Sequence, residues 1–118
     1  LAASLALPGC RQDHSQYKYS GKIGVESVVF TEEKFLYSND FNILTVITPD
    51  GRNIEYKDTK NDDLRLESVI ISTNNSKQRY DASDEVGKAI LEEGQKKFDG
   101  YLQQILAIKT KQGLENLK

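Results

Sequence analysis

Apolar side chains alternate with polar ones up to about Tyr80, and beyond it they recur every three or four residues. The first spacing divides side chains between the two faces of an extended strand. The second gathers them on one face of a helix. Phe41–Thr48 is the clearest strand, rich in β-branched residues; Phe41, Ile43, Thr45 and Ile47 share one face, Leu44 and Val46 the other. With apolar groups on both faces, this strand is expected at the centre of a sheet or beneath a helix. Pro49-Asp50-Gly51 follows it. Proline presets φ, aspartate bonds to nearby backbone and glycine accepts positive φ, so a hairpin is predicted from 41–48 to 52–57. In its second arm Ile54 and Tyr56 alternate with Asn53 and Glu55, the pattern of a half-exposed strand.

The flanking segments carry weaker signals. Tyr17-Lys18-Tyr19 alternates, but Ile23, Val25 and Val29 have one parity while Val28 and Phe30 have the other. Gly21 and Gly24 predict a bend or bulge there, giving one irregular strand or two short ones. Polar Thr31–Lys34 reads as a turn, Phe35-Leu36-Tyr37 as a short strand, and Ser38-Asn39-Asp40 as a second turn. Asp58–Asp63 reads as a loop, Leu64–Thr73 as a strand, Asn74-Asn75-Ser76 as a turn and Lys77–Tyr80 as a short edge strand. Short connections favour antiparallel neighbours, in an open sheet or a partial barrel.

From Asp81 the period is helical. Asp81 or Ser83 is the expected cap, with Asp84 and Glu85 at the positive end of the helix dipole. Val86, Ala89, Ile90, Lys97, Tyr101, Ile105 and Ile108 follow one stripe, which Phe98, Leu102 and Leu106 widen. Glu92–Lys96 and Glu93–Lys97 are i,i+4 pairs of opposite charge. Gly94 and Gly100 permit close approach to the sheet or a kink, and Gly113 is a natural stop. A helix is predicted over 83–108. The fold class is therefore α+β: an antiparallel sheet or partial barrel of five to six strands, then one long C-terminal helix.

The 118 residues suit a single domain, assigned to 20–118. The apolar fraction is only 37%, yet six Tyr and four Phe argue for a packed core. The formal charge is −2 and both signs are mixed along the chain, which argues against a nucleic-acid partner. Cys10 is the one cysteine, and no run approaches the roughly 20 apolar residues of a membrane-spanning helix.

The opening, Leu-Ala-Ala-Ser-Leu-Ala-Leu-Pro-Gly-Cys, has no charge before Arg11. It is patterned like the hydrophobic part of a secretion signal. Leu7-Pro8-Gly9-Cys10 resembles a bacterial lipobox; Leu7, Gly9 and Cys10 fit the pattern, whereas Pro8 stands where a small or aliphatic residue is usual. The resemblance covers these ten residues alone. It implies Cys10 as a lipid attachment site, a membrane tether through it, residues 1–19 as signal remnant and tether, and a domain at the cell envelope or outside the cell. The alternative is an ordinary N-terminal strand or helix of a cytoplasmic protein, with Cys10 a small buried hydrophobe.

Candidate chemistry is sparse. His14 and Cys10 are the only histidine and cysteine, too few for a tetrahedral zinc site. Asp58, Asp62 and Asp63 gather hard oxygen ligands, but Lys60 interrupts them and the spacing is not that of an EF-hand. There is no Gly-x-Ser-x-Gly elbow and no glycine-rich phosphate loop. No catalytic residue, metal ligand or cofactor is assigned. Tyr17, Tyr19, Tyr37, Tyr56 and Tyr80 fall in or beside the sheet; with Arg52 and Arg65 they form the candidate binding surface for a protein, peptide or glycan. The expected function is a small non-catalytic binding or structural module, possible envelope lipoprotein included. The alternatives are a cytoplasmic nucleic-acid or small-ligand module on an oligonucleotide-binding-like barrel, and a small hydrolase using His14.

Overall fold

Each strand is joined to the next by a connection too short for a crossover, and the sheet runs in chain order as a result. The computed structural model describes residues 14–35, 40–60 and 63–117. They form β1 (His14–Ile23), β2 (Glu26–Phe35), β3 (Phe41–Ile47), β4 (Asn53–Asp58), β5 (Ser68–Ser72) and β6 (Lys77–Tyr80), then α1 (Glu85–Glu115). All five strand pairs are antiparallel, with β1 and β6 at the two edges. The sheet is thus open rather than closed into a barrel.

The turns follow local chemistry. Gly24, at φ +64, and Val25 alone connect β1 to β2, so Ile23 pairs with Glu26. The change of parity in this region is the turn itself: Val25 points to solvent. Gly51, at φ +91, closes the β3–β4 hairpin. Its amide donates to the Thr48 carbonyl at 3.0 Å, and the Thr48 amide donates to the Arg52 carbonyl at 2.9 Å.

Register places two apolar rows on the face beneath α1. One runs Tyr19, Phe30, Leu44, Tyr56, Val69, Tyr80; the next runs Gly21, Val28, Val46, Ile54, Ile71, Gln78. Phe98, Leu102 and Ile105 of α1 close over them, and Phe98 and Ile105 are wholly buried. Burying such side chains stabilises by about 1.5–3 kcal/mol each. A third row on this face, Tyr17, Glu32, Asn42 and Asp58, is polar. The opposite face of β3 carries Phe41, Ile43 and Thr45, half-buried, with Phe35 and Phe41 rings 5.9 Å apart.

Several expectations are corrected. Residues 14–19, expected in the tether, belong to β1, because their alternation matches the inner and outer faces beside β2. Thr31–Lys34 is not a turn; these residues pair with β1, and Thr31, Glu32 and Glu33 also with Ile43, Asn42 and Phe41 of β3, their polarity being tolerated toward the end of the ladder. Residues 64–67 are not strand: Leu64 takes φ +60, and side chains of Asp58, Asp63 and Gln95 accept the amides of Leu64, Arg65 and Leu66, so that only Glu67 bonds to β4, through the Lys57 carbonyl at 2.9 Å. The helix cap is Asp84, whose carboxylate accepts the Gly87 amide at 2.7 Å, and Gly113 does not end the helix. The helical ion pairs run i,i+3, Glu85–Lys88 at 3.6 Å and Glu93–Lys96 at 3.5 Å, instead of i,i+4. No helix is long and apolar enough to cross a membrane among the described residues.

Candidate functional site

Tyr17, Tyr19, Tyr56 and Tyr80 do share one sheet face, as a binding surface would require, but it is the face that α1 covers. Tyr56 is 3% exposed and belongs to the core, so it offers no open surface. Burial pushes its phenol pKa up; the nearby Glu26 carboxylate adds to the rise and Arg52 opposes it. Tyr17 and Tyr19 pack partly buried against the core. The Lys109 ammonium lies 4.3 Å from the Tyr17 ring centre and 3.6 Å from Glu32, which fastens the C-terminal half of α1 to β1 and β2. Tyr80, half-buried on β6, donates its hydroxyl hydrogen to Gln78 at 2.6 Å. Arg52 and Arg65 stand apart, on different clefts. Cys10 and Tyr37 lie outside the described residues, as does the side chain of His14.

The helix does not seal the sheet evenly. Along the flank nearer Arg52 a cleft of about 310 Å³ opens between α1 and the β4–β5 pair. Its floor is apolar: Ile54 and Tyr56 from β4, Val69 and Ile71 from β5. Its far wall is Ala89 and Ile90 of α1. Gly94 lies between them, where a Cβ would stand 3.1 Å from Val69 Cγ2 and 3.3 Å from Tyr56 Cε1, so glycine lets the helix settle close to the sheet. The charges stand at the rim: Arg52, Lys97 and Glu93. Glu93 is 3.5 Å from Lys96, and Arg52 Nε is 3.3 Å from Asp50. Lys97 forms no ion pair among the described residues. Lys97 also borders a second hollow of about 320 Å³ with Tyr101 and Glu26, whose side chains are hydrogen-bonded to each other. An apolar floor with a few charges at the mouth is the usual form of a small-ligand site. Of the residues here, only Arg52 and Tyr56 were singled out as candidates from sequence. Gly94 was expected to allow close approach, and Lys97 falls on the helical stripe. Ala89, Ile90 and Glu93 become neighbours of β4 and β5 only through the packing of α1.

A second constellation joins Asp58, Asp63 and Glu67, whose carboxylate oxygens come within 4.8 Å of one another. Asp62 lies outside the described residues, and Glu67 was not anticipated as a partner. Three carboxylates suit a hard cation chemically, but here they hold the loop. Asp58 Oδ2 accepts from Asn42 Nδ2 at 3.0 Å and from the Leu64 amide at 2.8 Å. Glu67 Oε1 accepts from the Thr59 and Lys60 amides at 2.5 and 3.0 Å. Desolvation pushes the Glu67 pKa up, against those two amides, and the charges of Asp58 and Asp63 push it further. Gln95 of α1 completes the clasp, accepting from the Leu66 amide at 2.9 Å and donating to the Leu64 carbonyl at 2.8 Å.

In comparisons with known proteins, no family model, no curated protein and no solved structure matches this chain.

Proposed function

We propose that the domain is a non-catalytic binding module whose ligand lies in the cleft between α1 and β4–β5, held at the cell envelope by a lipid on Cys10. One observation carries the binding role: an apolar trough of about 310 Å³ whose charged groups are confined to its mouth. A small ligand with an apolar body would remove the exposed parts of Ile71, Ala89 and Ile90 from water, above Ile54, Tyr56 and Val69, which are already buried; such removal is the main gain in sites of this kind. The lining supports holding a ligand rather than transforming it. Its one hydroxyl is the Tyr56 phenol, buried and with its pKa pushed up by that burial, away from the phenolate that a nucleophile or base would need.

The test uses N-phenyl-1-naphthylamine, whose fluorescence rises in apolar surroundings. Saturable enhancement by the parent is expected, and its loss in Ala89→Trp, where an exposed wall residue becomes large enough to fill the trough. No enhancement by the parent, or equal enhancement by the variant, refutes the cleft as the seat. The anchor is tested separately, by intact mass from the native host: a diacylglyceryl mass on Cys10 supports it, and an unmodified Cys10 behind residues 1–9 refutes it.

A further inference from the structure

We infer that the ligand of this cleft is an amphipathic carboxylate of the fatty-acid type, its chain along the trough and its head between Arg52 and Lys97. The inference rests on the trough being a ligand seat and goes further by naming what fills it.

The shape favours an extended body. The trough follows α1 from Ala89 to Lys97. Eight helical residues advance about 12 Å, the reach of a medium-length acyl chain. The surface open to a chain is that of Ile71 and Ile90, with Ile54 and Val69 packed beneath, all side chains without polar atoms, so a chain lying there needs no hydrogen bond. A branched polar ligand such as a sugar would leave its hydroxyls unpaired against this floor.

The mouth selects the head group. Two cations and one carboxylate border it. The carboxylate, Glu93, is engaged by Lys96, which lines the cleft on the opposite flank of the helix. Asp50 meets Arg52 through Nε at 3.3 Å and is not part of the lining, so among the described residues the two terminal nitrogens of the guanidinium are left for a ligand. Lys97 brings a second ammonium with no ion pair among the described residues. The balance at the mouth is cationic in a chain of net charge −2. A carboxylate is the group that an arginine fork and an ammonium receive together. A cationic head would meet repulsion there, and a neutral head would gain neither charge-assisted bond.

Displacement of N-phenyl-1-naphthylamine by decanoate and by decanol separates head from chain, since the two share one apolar body. Two solvent-facing charge-assisted bonds predict that decanoate competes about tenfold better than decanol at low salt. Raising the salt should narrow that margin. In Arg52→Gln/Lys97→Gln, both exposed positions, the two competitors should become equal while probe binding persists and the far-ultraviolet circular dichroism is unchanged. Equal competition in the parent, or a preference for decanoate that survives the double substitution, overturns the carboxylate while leaving the seat intact. Failure of the parent to bind the probe overturns seat and ligand together.

Discussion

Alanine placed singly at Gly87, Gly94 and Gly100 applies one backbone change to three different surroundings along α1. In each case alanine removes freedom from the unfolded chain and favours helix by up to about 1 kcal/mol. At Gly100 an added Cβ meets nothing within 4 Å. Gly100→Ala should therefore raise stability by about 0.5–1 kcal/mol, roughly 3–5 °C in Tm. At Gly94 the new methyl would stand 3.1 Å from Val69 Cγ2 and 3.3 Å from Tyr56 Cε1. These side chains must yield by a few tenths of an ångström, which offsets the helical gain and leaves a change within about 0.5 kcal/mol of zero. At Gly87 the methyl would fall 1.8 Å from the Asp81 carbonyl oxygen, which is backbone. Relief requires the junction before α1 to shift, costing about 1–3 kcal/mol of overpacking and about 1 kcal/mol from the disturbed Asp84 cap. Set against the helical gain, Gly87→Ala should lose about 1–3 kcal/mol. Urea unfolding followed at 222 nm, with the slope unchanged, reads all three. The expected order of stability is Gly100→Ala, Gly94→Ala, Gly87→Ala. A Gly87→Ala protein as stable as the parent, or Gly100→Ala falling below Gly94→Ala, would refute the placement of the helix on the sheet.

Further expectations concern the core, the loop clasp and acid. Phe98→Ala leaves a void under the wholly buried ring site and should cost about 3–5 kcal/mol in urea unfolding. Asp58→Ala strips the acceptor from Asn42 Nδ2 and the Leu64 amide and should cost about 2–4 kcal/mol; Asp58→Asn, which keeps an oxygen, should cost less. For Asp81, the Ser83 hydroxyl and amide, with Arg79, hold the pKa below its ordinary 3.8. The unfolded chain then takes up the proton first, so this contribution is present above 3.8 and is lost as pH falls through the folded value. Asp81→Asn should flatten that acid loss in unfolding midpoints measured against pH. For Glu67, desolvation holds the pKa above its ordinary 4.5. The folded state takes up the proton first, so its contribution falls as pH rises from 4.5 through the folded value, and Glu67→Gln should remove that fall.

The sheet was legible because its signals are local. Pro49-Asp50-Gly51 states a turn without reference to anything distant, and the alternation around it assigns both arms. The shift to helical spacing after Tyr80 is equally local. Other features depend on distant partners. Leu64–Glu67 has the alternation of a strand, but Asp58 and Gln95 claim the amides of Leu64 and Leu66, the second from 29 residues away. Thr31–Lys34 has the polarity of a turn, yet both its neighbours are strands. That Tyr17, Tyr19, Tyr56 and Tyr80 come to one face, and that α1 covers it, is decided by the register of the whole sheet and by no local pattern. The cleft was the least legible feature. Ala89, Ile90 and Glu93 carry no sign in sequence that Ile54 and Val69 lie across from them.

The chain-order sheet also has a consequence for biosynthesis. Each strand emerging from the ribosome finds its partner already made, so pairing never waits on a distant segment. The shield over Val28, Phe30, Leu44 and Val46 arrives last, with Phe98, Leu102 and Ile105. At about 5–20 residues per second, the 59 positions from Val46 to Ile105 (105 minus 46) take roughly 3–12 s to translate. Throughout that interval the nascent sheet presents a bare greasy face. A ribosome stalled before Phe98 displays the form that holdase chaperones grip, which makes the final third of this chain the checkpoint for its release.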